Sequence, residues 1–378
     1  MEEDRLAKLH FFLLSFLQLS YYEIMSNELH DTDENTGTME VLDRHQFDAS
    51  RLEEYMHENV EGFEGKIEVE EFKGGQSNPT YKVISPSQSY VLRRKPPGKL
   101  LKSAHAVDRE YQVITALNKT DVPVPRSYAL CEDEEVIGTA FYLMEFKDGR
   151  VLWDPAMEDS DEEEARGVYE SMNDSMAKLH TVDPMEIGLE NFGKPGNYVG
   201  RQVSRWSKQY IDSETETIES MNNLIEWLPK NLPTEKKTGI VHGDYSLSNV
   251  MVGKNDPGVI AILDWELSTL GDPCADFNYH CMQYTMNPKL ADKEYCKEKG
   301  IPIIEDYVKL YSEKINVDLS EEWDLYTAYN LFKLAGILQG ILGRVRDGTA
   351  ASQNAAERAS GVSNLSDTAW DLVKKNFL

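Results

Sequence analysis

Hydrophobic and polar residues alternate between residues 66 and 93, and the alternation is broken twice. Lys66–Phe72 (KIEVEEF) reads as a strand, Gly74-Gly75-Gln76-Ser77-Asn78-Pro79 interrupts it, and Thr80–Ile84 and Ser89–Arg93 follow as two further strands. Ahead of them, Phe47, Leu52, Tyr55 and Met56 fall near helical spacing, with Asp48 as the expected cap. A helix over Ser103–Leu117, an extended Val122–Pro125, and strands at Ser127–Cys131 and Ala140–Phe146 complete a strand-rich first part. The period then changes. Ala165, Val168, Tyr169, Met172, Met176 and Leu179 share one helix face and read as core, behind an acidic run in which Ser160 and Glu163 suggest a capping box. Residues 181–200 are loop-rich, and Val203–Leu228 and Glu321–Leu342 read as helices. Between those two regions, Val250-Met251-Val252, the turn Gly253–Gly258 and Val259-Ile260-Ala261 read as a hairpin.

Acidic clusters flank that hairpin. His242-Gly243-Asp244 precedes it, with Asn249 five positions after the aspartate, and Asp264-Trp265-Glu266 ends it. Phosphoryl transfer from ATP needs a group that orients the attacking hydroxyl and oxygen ligands that hold Mg²⁺ against the phosphates. Asp244 suits the first task as acceptor of the hydroxyl proton. Asn249 and Asp264 suit the second, because Mg²⁺ takes hard oxygen donors and few protein carboxylates. Upstream, in the order a kinase uses, the turn containing Gly74, Gly75, Ser77 and Asn78 would cover phosphates with backbone N–H groups. By itself that turn reads first as an ordinary hairpin, and it lacks G-x-G-x-x-G. Arg93 would carry the cation of the third strand to the phosphates, with Arg94 and Lys95 as rivals. Glu110 would pair with it from the helix, or form a plain surface salt bridge. The backbone of Glu145 and Phe146 would meet adenine at the hinge.

The motif H-G-D-x-x-x-x-N followed by D-W-E resembles the aminoglycoside phosphotransferase family of small-molecule kinases. The longer string LDWELSTLGDPCADF, with AHAVDREY (104–111) and RQVSRWSKQY (201–210), is similar to one branch, the kinase-like domain fused to some acyl-CoA dehydrogenases. The resemblance runs from about residue 46 to the C-terminus. It implies a bilobed α+β fold, protein-kinase-like and close to choline kinases. The N-lobe would span 46–146 and a mostly helical C-lobe 147–378, with ATP and Mg²⁺ between them. It also implies a hydroxy acid or hydroxyacyl-CoA as acceptor, with an acyl-CoA dehydrogenase acting in trans on the product. An amino alcohol or aminoglycoside-like acceptor is the rival within the class. A pseudokinase that binds nucleotide without chemistry is the rival outside it, and the presence of Asp244, Asn249 and Asp264 weighs against that.

From Asp264 the chain reaches Gly271-Asp272-Pro273 too soon to hold an activation segment, which favours a small molecule over a protein acceptor. Asp272 is expected to cap a helix beginning at Pro273. Asp276 either braces the catalytic loop or is a surface carboxylate, and Glu266 stands behind the metal ligands. Arg201, Arg205, Lys333, Arg344 and Arg346 either meet an anionic acceptor or are solvated helix charges.

Composition narrows the remaining classes. The 378 residues carry a formal charge of −27, from 66 acidic against 39 basic residues, which argues against nucleic-acid binding. Four scattered cysteines lack a C-x-x-C pair, and no zinc spacing occurs among the eight histidines. A reducing intracellular setting follows, the cytoplasm first, with mitochondrion or peroxisome left open. Residues 1–45 read as a disordered or wrongly assigned N-terminal extension. The apolar run at 11–19 follows acidic residues and is too short to span a bilayer, so 1–24 read as a gene-model extension or a short amphipathic appendage.

Overall fold

The computed structural model describes residues 37–73, 78–96, 106–348 and 360–378. Six strands form the sheet of the N-terminal lobe: β1 (Thr38–Met39), β2 (Glu68–Phe72), β3 (Thr80–Ile84), β4 (Ser89–Arg94), β5 (Ser127–Cys131) and β6 (Phe141–Glu145). Their spatial order is β1-β2-β3-β4-β6-β5, antiparallel throughout. Helix α1 (Ala49–Asn59), capped by the Asp48 carboxylate on the Ser50 N–H, covers one face. Tyr81, Val83, Tyr90, Leu92, Phe141 and Leu143 are buried there with Leu52 and Met56. The opposite face receives α2 (Val107–Leu117) and looks toward the second lobe. Side chains alternate across a strand, so β4 sends Tyr90, Leu92 and Arg94 to the α1 face and Val91 and Arg93 to the interlobe face.

Two expectations for this lobe change. Residues 38–39, read as part of a lead-in, form a strand against Glu71 and Phe72. Residues 43–45 are anchored as well: the His45 ring pairs with Glu71 at 2.6 Å, and the His45 carbonyl accepts from Tyr81 and Arg94. The structured lobe therefore extends ahead of residue 46. Gly74, Gly75, Ser77 and the start of the helix expected from Ser103 lie outside the described residues, as do residues 1–24.

The second lobe is mostly helical. Its described elements begin with β7 (Gly149–Val151), α3 (Glu162–Thr181), α4 (Tyr198–Ser213) and α5 (Glu219–Trp227). Strands β8 (Gly239–Val241), β9 (Val250–Gly253), β10 (Val259–Ile262) and β11 (Thr269–Gly271) follow. The chain then continues through α6 (Pro273–Cys281), α7 (Ile304–Ile315), α8 (Trp323–Arg346) and α9 (Val362–Phe377). The β9–β10 hairpin is extended by β7, and β11 pairs with β8. The cap of α3 is Asp161, which accepts from the Glu164 N–H at 2.9 Å, in place of the Ser160–Glu163 box. Three glutamates (162–164) in its first turn complement the helix dipole. The region read as one helix over 203–228 is two, separated at residues 214–218. Asp272 caps α6 through the Cys274 N–H, with Pro273 in the first turn. All four cysteines are free and buried. No helix among the described residues is long and apolar enough to cross a membrane.

Candidate active site

Eight residues, 242–249, join β8 to β9. Gly243 makes the turn at φ +88°, where a Cβ would lie 2.9 Å from the Leu267 carbonyl. Backbone conformation and close approach both require glycine there. Asp276, reaching up from α6, accepts the N–H groups of His242 (2.7 Å) and Gly243 (2.9 Å), and His180 Nε2 lies 3.2 Å from it. Asp276 is 3% exposed, so of its two sequence readings the structure shows the brace. Burial pushes its carboxyl up, but the His180 hydrogen bond and charge, with His242, outweigh burial and hold it below the ordinary 3.8.

Replacing Asp276 with alanine would orphan two buried N–H groups and His180. The expected cost is about 3–5 kcal/mol, read as a lower denaturation midpoint at pH 7. Because the folded-state value is depressed, the stabilisation is complete above 3.8 and fades as pH falls through the folded value. An unchanged midpoint at pH 7 would refute the brace.

His242 joins this turn to the next acidic segment. Its Nδ1 accepts from the Asp244 N–H at 3.3 Å and its Nε2 lies 2.8 Å from the Leu263 carbonyl, which suits the tautomer protonated on Nε2. Asn249 Nδ2 donates to the Asp244 carbonyl (2.8 Å) and carboxylate (3.1 Å), leaving the amide oxygen for a cation. Burial raises the Asp244 carboxyl above its ordinary value; His242 and Lys333 pull it down, and the nearby Asp264 adds to the rise. A carboxylate raised in this way is a better proton acceptor.

Asp264 ends β10 in the left-handed region, at φ 60° and ψ 67°, a strained conformation for a residue with a side chain. Its Oδ1 accepts from Arg93 Nη2 at 2.9 Å, and Arg93 Nε lies 2.9 Å from Glu110 Oε2. Glu110 is further held by Tyr142 Oη (3.0 Å) and by Asn78 Nδ2 (3.0 Å). Burial pushes the Glu110 carboxyl up to about 7 while Arg93 pulls against it; Glu110 more than offsets the burial of Arg93, keeping the guanidinium cationic. The rivals of Arg93 are engaged elsewhere. Arg94 is buried on the α1 face, donating to the Ile137 and His45 carbonyls, and Lys95 lies 3.6 Å from Asp108.

Of these groups, Arg93, Tyr142 and Asp264 line an interlobe cleft of about 400 Å³. Val91, Ile114, Met144, Met251 and Ile262 give it apolar walls. Phe146 and Trp153 also line it, and the buried Trp153 Nε1 has no hydrogen-bond partner among the described residues. Apolar walls, an unused indole donor and a cation fit a purine nucleotide with its phosphates. Asp264 and the Asn249 amide oxygen would hold the accompanying Mg²⁺, whose remaining ligands come from phosphates and water.

Other expected residues sit differently. Asn78 is fully buried and turned to Glu110, so its side chain orients the ion pair. Glu145 does not line the cleft: its N–H donates to the Arg126 carbonyl and its carboxylate faces Lys147 at 3.0 Å. Lys333, read as either an anion contact or a helix-surface charge, is 7% exposed beneath the 242–249 loop. Its Nζ lies 3.4 Å from the Gly243 carbonyl and 3.9 Å from the Tyr279 ring centre. Burial lowers its pKa, opposed by Asp276 and Asp244. A lysine in an apolar helical stripe was the available signal; Trp153 and Tyr142 offered none.

Acyl-CoA dehydrogenase family member 10 of Mus musculus is 40% identical over 82% of this chain and 30% of its own length. Acyl-CoA dehydrogenase family member 11 of Homo sapiens is 36% identical over 89% of this chain and 44% of its own. The chain therefore spans less than half the length of these relatives. A crystal structure from Ralstonia eutropha, provisionally assigned as an aminoglycoside phosphotransferase, matches with TM-score 0.82 and 47% identity, over 88% of this chain and 100% of that one. The fold is shared with aminoglycoside phosphotransferase APH(4)-Ia in ternary complex with AMP-PNP and hygromycin B, at TM-score 0.56 and 13% identity over 86% and 99% of the two chains. The family model described as "Phosphotransferase enzyme family" matches residues 68–320, and this chain belongs to that family.

Proposed function

We propose that the chain transfers the γ-phosphoryl group of Mg²⁺-ATP to a small-molecule hydroxyl, with a hydroxy acid or hydroxyacyl-CoA as acceptor. The carrying observation is the pairing of Arg93 with Glu110 and Asp264 in the wall of one interlobe cleft, with Asp244, held by Asn249, close enough to feel the Asp264 charge. Asp244 orients the hydroxyl and receives its proton. Arg93, fixed by Glu110, neutralises phosphate charge, and Asp264 and Asn249 hold the cation. Positioning and charge stabilisation supply the catalysis that this reaction requires.

A small acceptor is supported by the path after Asp264. One 3₁₀ turn, Trp265–Leu267, leads directly into β11 and the Asp272 cap, without a segment on which a peptide could lie. Leu267, 55% exposed and packed against Gly243, offers an apolar contact beside the base. The acyl-CoA part of the reading is further supported by the names of the relatives above. There the phosphate would become a leaving group, and an acyl-CoA dehydrogenase would act on the product in trans. The test is ADP release with Mg²⁺-ATP across hydroxy acids, hydroxyacyl-CoAs and amino alcohols. Turnover of hydroxyacyl compounds supports the reading; turnover of amino alcohols alone overturns the acceptor.

Lys333 bears on the pH dependence. Its charge draws the Asp244 pKa down against burial, so Lys333→Met should move the acidic limb of kcat/KM to higher pH. Lys333→Arg should restore the limb in part, with KM for ATP unchanged. A limb that stays in place would remove Lys333 from the account.

A further inference from the structure

The strongest unassigned feature is a second cleft, of about 400 Å³, between α4 and α8. Gly336 packs on Trp206, Gly340 on Gln209 and Gly343 on Ser213, so the two helices run parallel and approach closely where α8 lacks side chains. Arg205, Lys208 and Asp212 line the cleft from one stripe of α4, and Arg344, Arg346 and Asp347 line it from α8. Four cations thus face two carboxylates on a chain of formal charge −27.

Local structure accounts for only part of this. Arg344 and Arg346 lie in the last turn of α8, where cations complement the helix dipole, and Arg346 is also paired with Asp347 and donates to the Glu214 carbonyl, so both serve the helix end. Arg205 and Lys208 precede the last turn of α4, where the helix dipole gives no reason for a cation. Neither forms an ion pair among the described residues; Arg205 lies over the Trp206 ring at 5.0 Å. The cleft also adjoins the catalytic loop. The charge of Arg205 is felt by Lys333, which touches the Gly243 carbonyl and feels Asp244. From Lys333 to Arg344 is eleven residues of one helix, about 16 Å along its axis.

We propose that this cleft holds the anionic far end of the acceptor, a phosphate-bearing group carried about 16 Å from the hydroxyl that reacts. A short hydroxy acid beside Asp244 would leave Arg205 and Lys208 without an anion, whereas a long acceptor with a diphosphate toward its tail spans the distance and supplies one. The proposal rests on the acyl-thioester reading of the acceptor and selects within it.

The experiment titrates the full chain, saturated with AMP-PNP to fill the nucleotide cleft, with coenzyme A, pantetheine and inorganic pyrophosphate. The Arg205→Ala/Lys208→Ala variant is run beside wild type, at low and high salt. Wild type should bind coenzyme A more tightly than pantetheine. The variant should lose about tenfold or more in coenzyme A affinity, with a shallower salt dependence and unchanged KM for ATP. Pyrophosphate binding that the variant loses, on a protein that turns over no hydroxyacyl-CoA, would support the anion site and reject the thioester acceptor. Equal binding of coenzyme A to wild type and variant would overturn the cleft proposal and leave the kinase reading intact.

Discussion

Replacing Asp244 with asparagine should lower acceptor-dependent turnover by about 10²–10⁴-fold, while nucleotide binding stays near that of wild type. The asparagine keeps the size of the side chain and a contact with Asn249 Nδ2, but it cannot take the hydroxyl proton. The loss corresponds to about 3–5 kcal/mol of transition-state stabilisation and should fall on kcat. Asp244 belongs to the catalytic loop and not to the lining of the nucleotide cleft, so KM for ATP is the internal control. A variant with full turnover would exclude Asp244 as the base. A variant that also fails to bind ATP would indicate that the loop had collapsed, and the Asp276 brace would be the place to look.

Replacing Asp264 with alanine should cost at least about a hundredfold in turnover, through loss of several kcal/mol of metal-assisted charge stabilisation. Two effects are combined in that variant, because Asp264 also accepts from Arg93. Asp264→Asn separates them. It retains an oxygen for Arg93 and removes the carboxylate charge, so a metal role predicts that both variants need much more Mg²⁺ for half-maximal rate. If asparagine restores the wild-type Mg²⁺ dependence, Asp264 acts by holding Arg93 and not by holding the cation.

The residues of the candidate site differ in how far the sequence disclosed them. Asp244, Asn249 and Asp264 stand in fixed spacing beside strands, and short-range pattern was enough to nominate them. Arg93 could be separated from Arg94 by the two-residue period of β4 alone, since adjacent residues face opposite sides of a sheet. Asp276 and Lys333 were ambiguous for one reason. Their surroundings are made by segments distant in sequence: α6 meets the end of β8, and α8 passes beneath Gly243. A lysine in an apolar stripe looks like a snorkelling surface residue until the chain covering it is known. The Asn78 side chain turns to Glu110, which the sequence did not disclose because a buried amide and a loop amide look alike in a Gly-rich turn. The break at residues 214–218 and the cap at Asp161 instead of Ser160 are boundary effects, decided by which of several competent residues packs best. The cationic cleft was legible only as single charges, because parallel packing of α4 on α8 brings them together.

The most direct test of the central claim is the fate of the γ-phosphoryl group. Wild type is incubated with γ-³²P-labelled ATP, Mg²⁺ and the hydroxyacyl acceptor that gives the most ADP, with Asp244→Asn as control. Label transferred to the acceptor as a phosphate ester, in step with ADP and absent from the control, is the predicted result. Label that stays on ATP, or that leaves only as inorganic phosphate whether or not acceptor is present, would contradict a hydroxyl-directed phosphotransferase.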